Sequence, residues 1–170
     1  MDPFTTLGIA RSYDVDLAAL EKTHRELSRA LHPDRYVGAS ASERRSALAK
    51  AVDVNEAWRI VRDPIRRAEA LLTLSGVLVG EGREPKADPG FLMEMLEQRE
   101  ALSSAKRARD LTAVHQLAQA IRTRSDETER SLSFEFASGV SESSLPKLGE
   151  LRFYRRFLDE VSAIEDELAA

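Results

Sequence analysis

The sequence predicts an all-α fold, an antiparallel helical hairpin followed by a three-helix bundle. Three observations carry that prediction. Apolar residues recur at intervals of three and four along nearly the whole chain. No stretch alternates as a half-buried strand would; Val77-Leu78-Val79 is short and is bounded by Gly76 and Gly80. Residues 76–90 hold four of the eight glycines and two of the six prolines, which marks a boundary. The expected layout is therefore residues 1–75, a connection over 76–90, and residues 91–170.

The elements follow in order. Leu17, Leu20, His24, Leu27 and Leu31 form one helical stripe, with Asp16 as N-cap and Pro33 as terminator. After a loop containing Gly38, Ser42 caps a second helix running to Arg62, whose stripe is Ala47, Ala51, Val54, Trp58 and Val61. Two such helices with a short connection pack antiparallel. Asp63-Pro64 breaks the second helix and starts a third, which carries Ala68, Leu71, Leu72 and Leu74 and ends at Gly76. Beyond the boundary, helices are expected over Pro89–Lys106, Asp110–Ala137 and Ser144–Leu168. Leu111, Val114, Ala118, Ile121, Leu132 and Phe136 line the middle one; Tyr154, Phe157, Val161, Ile164 and Leu168 line the last.

Composition narrows the function. With 42% hydrophobic and 32% charged residues, the chain has enough apolar content for a core and is no disordered acidic tail. Lys+Arg is 25 against 29 Asp+Glu, a net charge of −4, which argues against nucleic acid as a partner. The absence of cysteine excludes disulfides, zinc thiolates, cysteine-ligated clusters and thiol nucleophiles. His24, His32 and His115 are the only histidines, so no metal site and no cofactor is expected. No segment approaches the roughly 18 apolar residues of a membrane span. Met1-Asp2-Pro3-Phe4 does not open a signal peptide, so a cytoplasmic protein without membrane contact is expected.

His32-Pro33-Asp34 directly follows the first amphipathic helix. Each residue has a local reason: histidine suits a helix C-terminus, proline stops the helix, aspartate favours turns. The tripeptide alone is a weak motif. Its context is stronger. The second helix ends Asn55-Glu56-Ala57-Trp58-Arg59-Ile60-Val61-Arg62-Asp63-Pro64, and Arg67-Ala68-Glu69-Ala70-Leu71-Leu72 follows. On these residues the chain resembles the J-domain of DnaJ-type co-chaperones. The pattern Asn55–Trp58, Pro64 and Arg67–Leu72 is similar to the iron–sulfur branch of that family, HscB. The resemblance runs over residues 4–76 and, with the features below, over nearly the whole chain.

The resemblance implies that Asp34 pairs with an arginine of a DnaK/HscA-class ATPase chaperone and that His32 and Pro33 shape the loop presenting it. It also implies a basic face: Lys22, Arg25 and Arg29 lie within about 60° of one another on a helix, and Arg35 extends them into the loop. A merely solvated face is the plainer alternative. Asp16, Glu21 and Glu26 cancel the three positive charges of this helix, a departure from the family's more basic members. His24 reads as a partly buried structural histidine, and Trp58 and Leu27 read as core.

The helix over Phe91–Glu100 is too apolar for one buried face. Phe91, Met95 and Leu102 form one stripe; Leu92, Leu96 and Met93 form a second about 100–200° away. Glu100 lies within the second and Glu97 at its edge. The surplus stripe reads equally well as a partner site or as part of a thicker core. The resemblance implies that Leu92, Met93, Leu96, Glu97 and Glu100, with Phe153 from the last helix, contact the scaffold protein IscU. A further acidic position of the family is Ser104 here.

The expected function is that of a co-chaperone that binds an IscU-type scaffold, delivers it to a DnaK/HscA-class chaperone and stimulates that chaperone's ATPase. The chain itself is then no enzyme. A J-domain co-chaperone with a different client is the alternative. A hydrolase using His32, Asp34 and a serine is disfavoured, because no nucleophile elbow or oxyanion nest accompanies them. A purely structural helical protein would leave both the triad and the surplus stripe without a role.

Overall fold

In the computed structural model, which describes residues 1–80 and 87–169, helix follows helix and no strand occurs among the described residues. The fold is all-α, as expected. The chain divides into two compact units, Met1–Leu78 and Val79–Ala170. Residues 81–86, part of the expected 76–90 connection, lie outside the described residues.

The first unit starts with a helix that periodicity did not reveal, α1 (Pro3–Leu7). Five residues are too few to show a stripe, yet Phe4 and Leu7 are almost completely buried, packed on the long helix below. Asp2 caps α1, accepting from the N–H groups of Phe4 and Thr5, and Pro3 fills the first turn, where no donor is needed. α2 (Leu17–Ala30) is capped by Asp16 as expected. On its stripe Leu20 is buried and His24, Leu27 and Leu31 are half-buried. Leu17 departs from the expectation: it is exposed, because it is the first residue of α2 and only the side of an open cleft meets it.

The cap of α3 (Ala41–Arg62) is Ser40, two residues before the Ser42 expected from sequence. The reason is reciprocal bonding. The Glu43 N–H donates to Ser40 Oγ (3.2 Å) while the Ser40 N–H donates to Glu43 Oε2 (2.8 Å). Ser42 has Arg45 at that spacing and cannot form the pair. Asp63 ends α3 and caps α4 (Pro64–Leu74), as the Asp-Pro step predicts. Gly76, at φ 83°, closes the end of α4 in the left-handed region that favours glycine.

α3 is the centre of this unit. It packs on α1, α2 and α4 through Ala47, Val54, Ala57 and Val61. Its contacts with α2 run in opposite order: Leu17, Leu20 and Glu21 share a cleft with Trp58 and Arg62, and His24 meets Asn55 and Trp58. The hairpin is thus antiparallel. Arg67 of α4 is buried, donating to the Val61 carbonyl at 2.8 Å with its guanidinium 4.8 Å above the Tyr13 ring.

The second unit is a bundle of α5 (Pro89–Arg107), α6 (Leu111–Ser138) and α7 (Leu145–Ala169), each end within a residue of expectation. Asp88 and Asp110 cap α5 and α6. Met95, Leu102, Val114, Ile121, Leu132, Leu151, Phe157 and Val161 make the shared core. Leu111 is exposed, again as the first residue of its helix. The ion pairs Arg99–Glu160 (3.5 Å) and Lys106–Glu167 (2.6 Å) flank α7, and His115 Nε2 lies 3.1 Å from Glu165 Oε1. Arg124 pairs with Glu94, tying α6 to α5, and Lys147 pairs with Glu135.

One carboxylate carries a pH signature. Burial works to raise the pKa of Asp2, but hydrogen bonds from Thr5 Oγ1, from Arg11 and from the N–H groups of Thr5 and Phe4 outweigh it, lowering the pKa from 3.8 to about 2. Asp2→Ala is expected to cost the first unit about 1 kcal/mol near neutral pH. Because the charged form is favoured in the fold, this contribution is complete above pH 3.8 and fades as pH falls toward about 2. Urea unfolding read by the single tryptophan, Trp58, checks it: the gap between wild type and variant should close over that window.

Candidate binding surfaces

The His32–Asp34 corner arises where Pro33 forbids α2 to continue. Residues Pro33–Tyr36 form one turn of 3₁₀ helix instead. His32 caps that turn, its Nδ1 accepting from the Asp34 N–H at 3.3 Å. The same Nδ1 lies 3.5 Å from Asp34 Oδ2, so the imidazole sits beside the carboxylate at the corner. The Asp34 side chain is 87% exposed. Its carboxylate is open to solvent and able to receive an arginine fork.

The basic residues of α2 all face solvent, but they differ in what they touch. Lys22 pairs with Glu26 (4.0 Å) and Arg25 with Glu21 (3.9 Å), each one helical turn apart. Arg29 and Arg35 make no ion pair among the described residues. The unpaired positive charge therefore collects at the triad end of α2.

His24 is half-buried, its ring stacked on Trp58 with centroids 4.5 Å apart, and its Nε2 2.9 Å from Asn55 Oδ1. It joins the two helices of the hairpin, as a structural histidine would. Trp58 and Leu27, read as core, are only half-buried; Arg62 lies over the Trp58 ring at 4.4 Å.

On α5 the structure separates the two stripes. Met95 and Leu102 are buried, whereas Leu92, Met93 and Leu96 are 42%, 59% and 52% exposed. Glu97 and Glu100 are exposed beside them, and Phe153 of α7 is half-buried at the same edge. Leu92, Leu96 and Phe153 line a shallow cleft of about 140 Å³ with Met95, Arg99 and Phe157. Phe153 is held edge-on by Phe91 (centroids 5.6 Å apart) and covered by Arg156, whose guanidinium lies 4.6 Å from the ring. A hydrogen bond from Arg124 keeps the Glu94 carboxyl below its ordinary pKa.

Sequence reasoning passed over Arg99, Phe157 and Arg156 as parts of this face. Arg156 stands three residues after Phe153, and Arg99 three after Leu96 and seven after Leu92, helical-neighbour spacings that could have flagged both. No group of His, Cys, Asp or Glu suited to a metal ion occurs among the described residues. No helix there is long and apolar enough to cross a membrane.

Comparison with known proteins follows this division. Residues 87–162 match the family model of the HSCB C-terminal oligomerisation domain. The co-chaperone protein HscB homolog of Burkholderia multivorans is 32% identical over 94% of this chain and 91% of its own length. That of Cupriavidus taiwanensis is 34% identical over 98% and 95%. Among solved structures, the chaperone HscB from Vibrio cholerae superposes with a TM-score of 0.87 at 29% identity, covering 99% of each chain.

The two stripes of α5 should differ sharply in what they contribute to folding. Leu102→Ala is expected to cost about 2–5 kcal/mol, and Leu92→Ala about 0.5 kcal/mol or less. Chemical unfolding of both variants, followed by far-ultraviolet circular dichroism, measures the contrast.

Proposed function

The chain belongs to the HscB-type co-chaperone family, and we propose that it acts as a two-site adaptor in iron–sulfur cluster biogenesis. The first unit serves as a J-domain. Its Asp34, presented by His32 and Pro33, engages an arginine of a DnaK/HscA-class chaperone, with Arg29 and Arg35 beside it, and Lys22 and Arg25 farther along α2, orienting the contact. The second unit holds an IscU-type scaffold on Leu92, Met93, Leu96 and Phe153, rimmed by Glu97 and Glu100. Joining both contacts in one chain raises the local concentration of client at the chaperone. ATP hydrolysis by the chaperone then traps the client, and the trapped complex favours release of its cluster to acceptors. No covalent bond of the co-chaperone changes in this cycle.

One observation carries the reading: three large apolar side chains stand in water on α5, next to Phe153, while Met95, Leu102 and Ala105 of the same helix are buried in the bundle. A helix with a satisfied core stripe keeps such a second stripe at a cost in solubility, and a partner that covers it removes the cost.

Two measurements test the two halves separately. Titrating an IscU-type scaffold should show binding that falls at least about 100-fold in the Leu92→Ala/Leu96→Ala/Phe153→Ala variant. Binding unchanged by the triple substitution removes the client face. In steady-state assays of a DnaK/HscA-class chaperone, the wild-type protein should accelerate ATP hydrolysis and Asp34→Asn should leave it at the basal rate. Equal stimulation by the variant removes the J-domain role.

A further inference from the structure

The two arginines beside the exposed face of α5 are not alike. Arg99 is engaged: its guanidinium pairs with Glu160 of α7 at 3.5 Å. Arg156 is exposed and makes no ion pair among the described residues; Asp159 and Glu160, the acids one turn further along α7, do not hold it. Its guanidinium lies instead over the Phe153 ring, 4.6 Å from the centroid. That stack holds the cation without using its donors. A guanidinium over an aromatic face keeps its N–H groups at the edge of its plane, where a carboxylate can take two at once. The ring also restrains the side chain, so less freedom is lost when such a bond forms. The bond would form beside the cleft of about 140 Å³ lined by Leu92, Leu96 and Phe153. An apolar side chain docked there excludes water and strengthens an adjacent pair.

The charges of this face are sorted across its apolar strip. Counting about 100° per residue from Met95, Arg99 lies at about 40°, Leu92 at about 60°, Leu96 at about 100°, Glu100 at about 140° and Glu97 at about 200°. Arg99 marks the side turned to α7, since it reaches Glu160 and shares the cleft with Phe153 and Phe157. Glu100 and Glu97 therefore edge the side away from α7, and Arg156 edges the side of α7. Neither carboxylate has an ion pair among the described residues.

We infer that Arg156 is a specificity-determining contact for the client: it donates to a carboxylate of the scaffold at the α7 edge while an apolar side chain of the scaffold enters the cleft against Phe153. The inference rests on the client-binding reading of this face. It adds what apolar burial does not supply, a direction. A bare apolar strip accepts a partner in either of two senses related by a half-turn. With a base on one edge and acids on the other, the correct sense matches every charge. The reversed sense sets a base of the partner against Arg156 and an acid against Glu100.

Titration of an IscU-type scaffold against the full chain tests it. R156M keeps an unbranched side chain over Phe153 without the charge and should bind about tenfold more weakly, and R156E more weakly still. R156K keeps the charge and should stay within about threefold of wild type. A role in covering the ring alone would leave R156M and R156K alike. The affinity of R156M should also depend less on salt. Replacing the carboxylates of the scaffold one at a time by Asn or Gln should find one that costs wild type about tenfold and costs R156M nothing further. Arg156 is exposed, so circular dichroism should be unchanged in all three variants. R156M binding like wild type, R156K falling as far as R156M, or a scaffold with no coupled carboxylate overturns the inference. The Leu92→Ala/Leu96→Ala/Phe153→Ala variant reports on the face itself. If it loses the scaffold while R156M does not, only the role of Arg156 falls; if neither loses it, the client face falls.

Discussion

The rotation of α5 about its own axis is the constraint on which the rest of the second unit depends. Met95, Leu102 and Ala105 are driven into the bundle by burial, and a helix is rigid at about 100° per residue. Once they point inward, Leu92, Met93 and Leu96 have no choice but to point out. The Glu94–Arg124 pair and the Arg99–Glu160 pair grip α5 from α6 and α7, on either side of the core stripe, and keep it from rolling. A roll that buried Leu96 would expose Met95 and separate both pairs. The exposed face is thus held in place by the core it does not belong to.

The first unit obeys a comparable rule through its helix stops. Pro33 cannot donate the hydrogen bond that would extend α2, so the chain tightens into a 3₁₀ turn and Asp34 emerges at the corner. Asp63-Pro64 acts the same way at the other end of the hairpin. Between these two stops α3 runs straight past α2, and the His24–Trp58 stack with the His24–Asn55 bond fixes their register. A corner presented by helices locked in register offers a carboxylate at a defined place, which is what recognition by a partner arginine requires.

Much of this was legible in the sequence because helical periodicity is a local signal with a global meaning. The stripes of α2, α3, α6 and α7 could be read from spacing alone, as could the Asp63-Pro64 step. What escaped was of two kinds. α1 has no room to show a period, and only the packing of Phe4 and Leu7 on α3 makes it a helix worth having. Ser40 and Ser42 are equivalent as residues; only the partner three positions later separates them. For the candidate face, periodicity identified the surplus stripe on α5 but left open whether water or protein covered it. That depends on how many neighbours a helix has, which no window of sequence reports. The same holds for Leu17 and Leu111, which have the right period and lie where their helices begin, with little beyond them to pack against.

The charge of α2 shows how a sum can mislead where a sequence position does not. Three acids and three bases cancel along that helix and its cap, which suggests a surface with no steering power. The structure sorts them. Glu21 and Glu26 neutralise Arg25 and Lys22 within the helix, and Asp16 is occupied as N-cap at the far end. Arg29 is left without an acid, and Arg35 beyond the corner likewise. Both flank the triad. Charges that sum to zero over the helix but leave two arginines unpaired near the corner do little for the speed of encounter and more for its orientation. In the proposed chaperone contact, specificity then comes from the last few ångströms, where an acidic rim on the partner would meet Arg29 and Arg35 while its arginine meets Asp34.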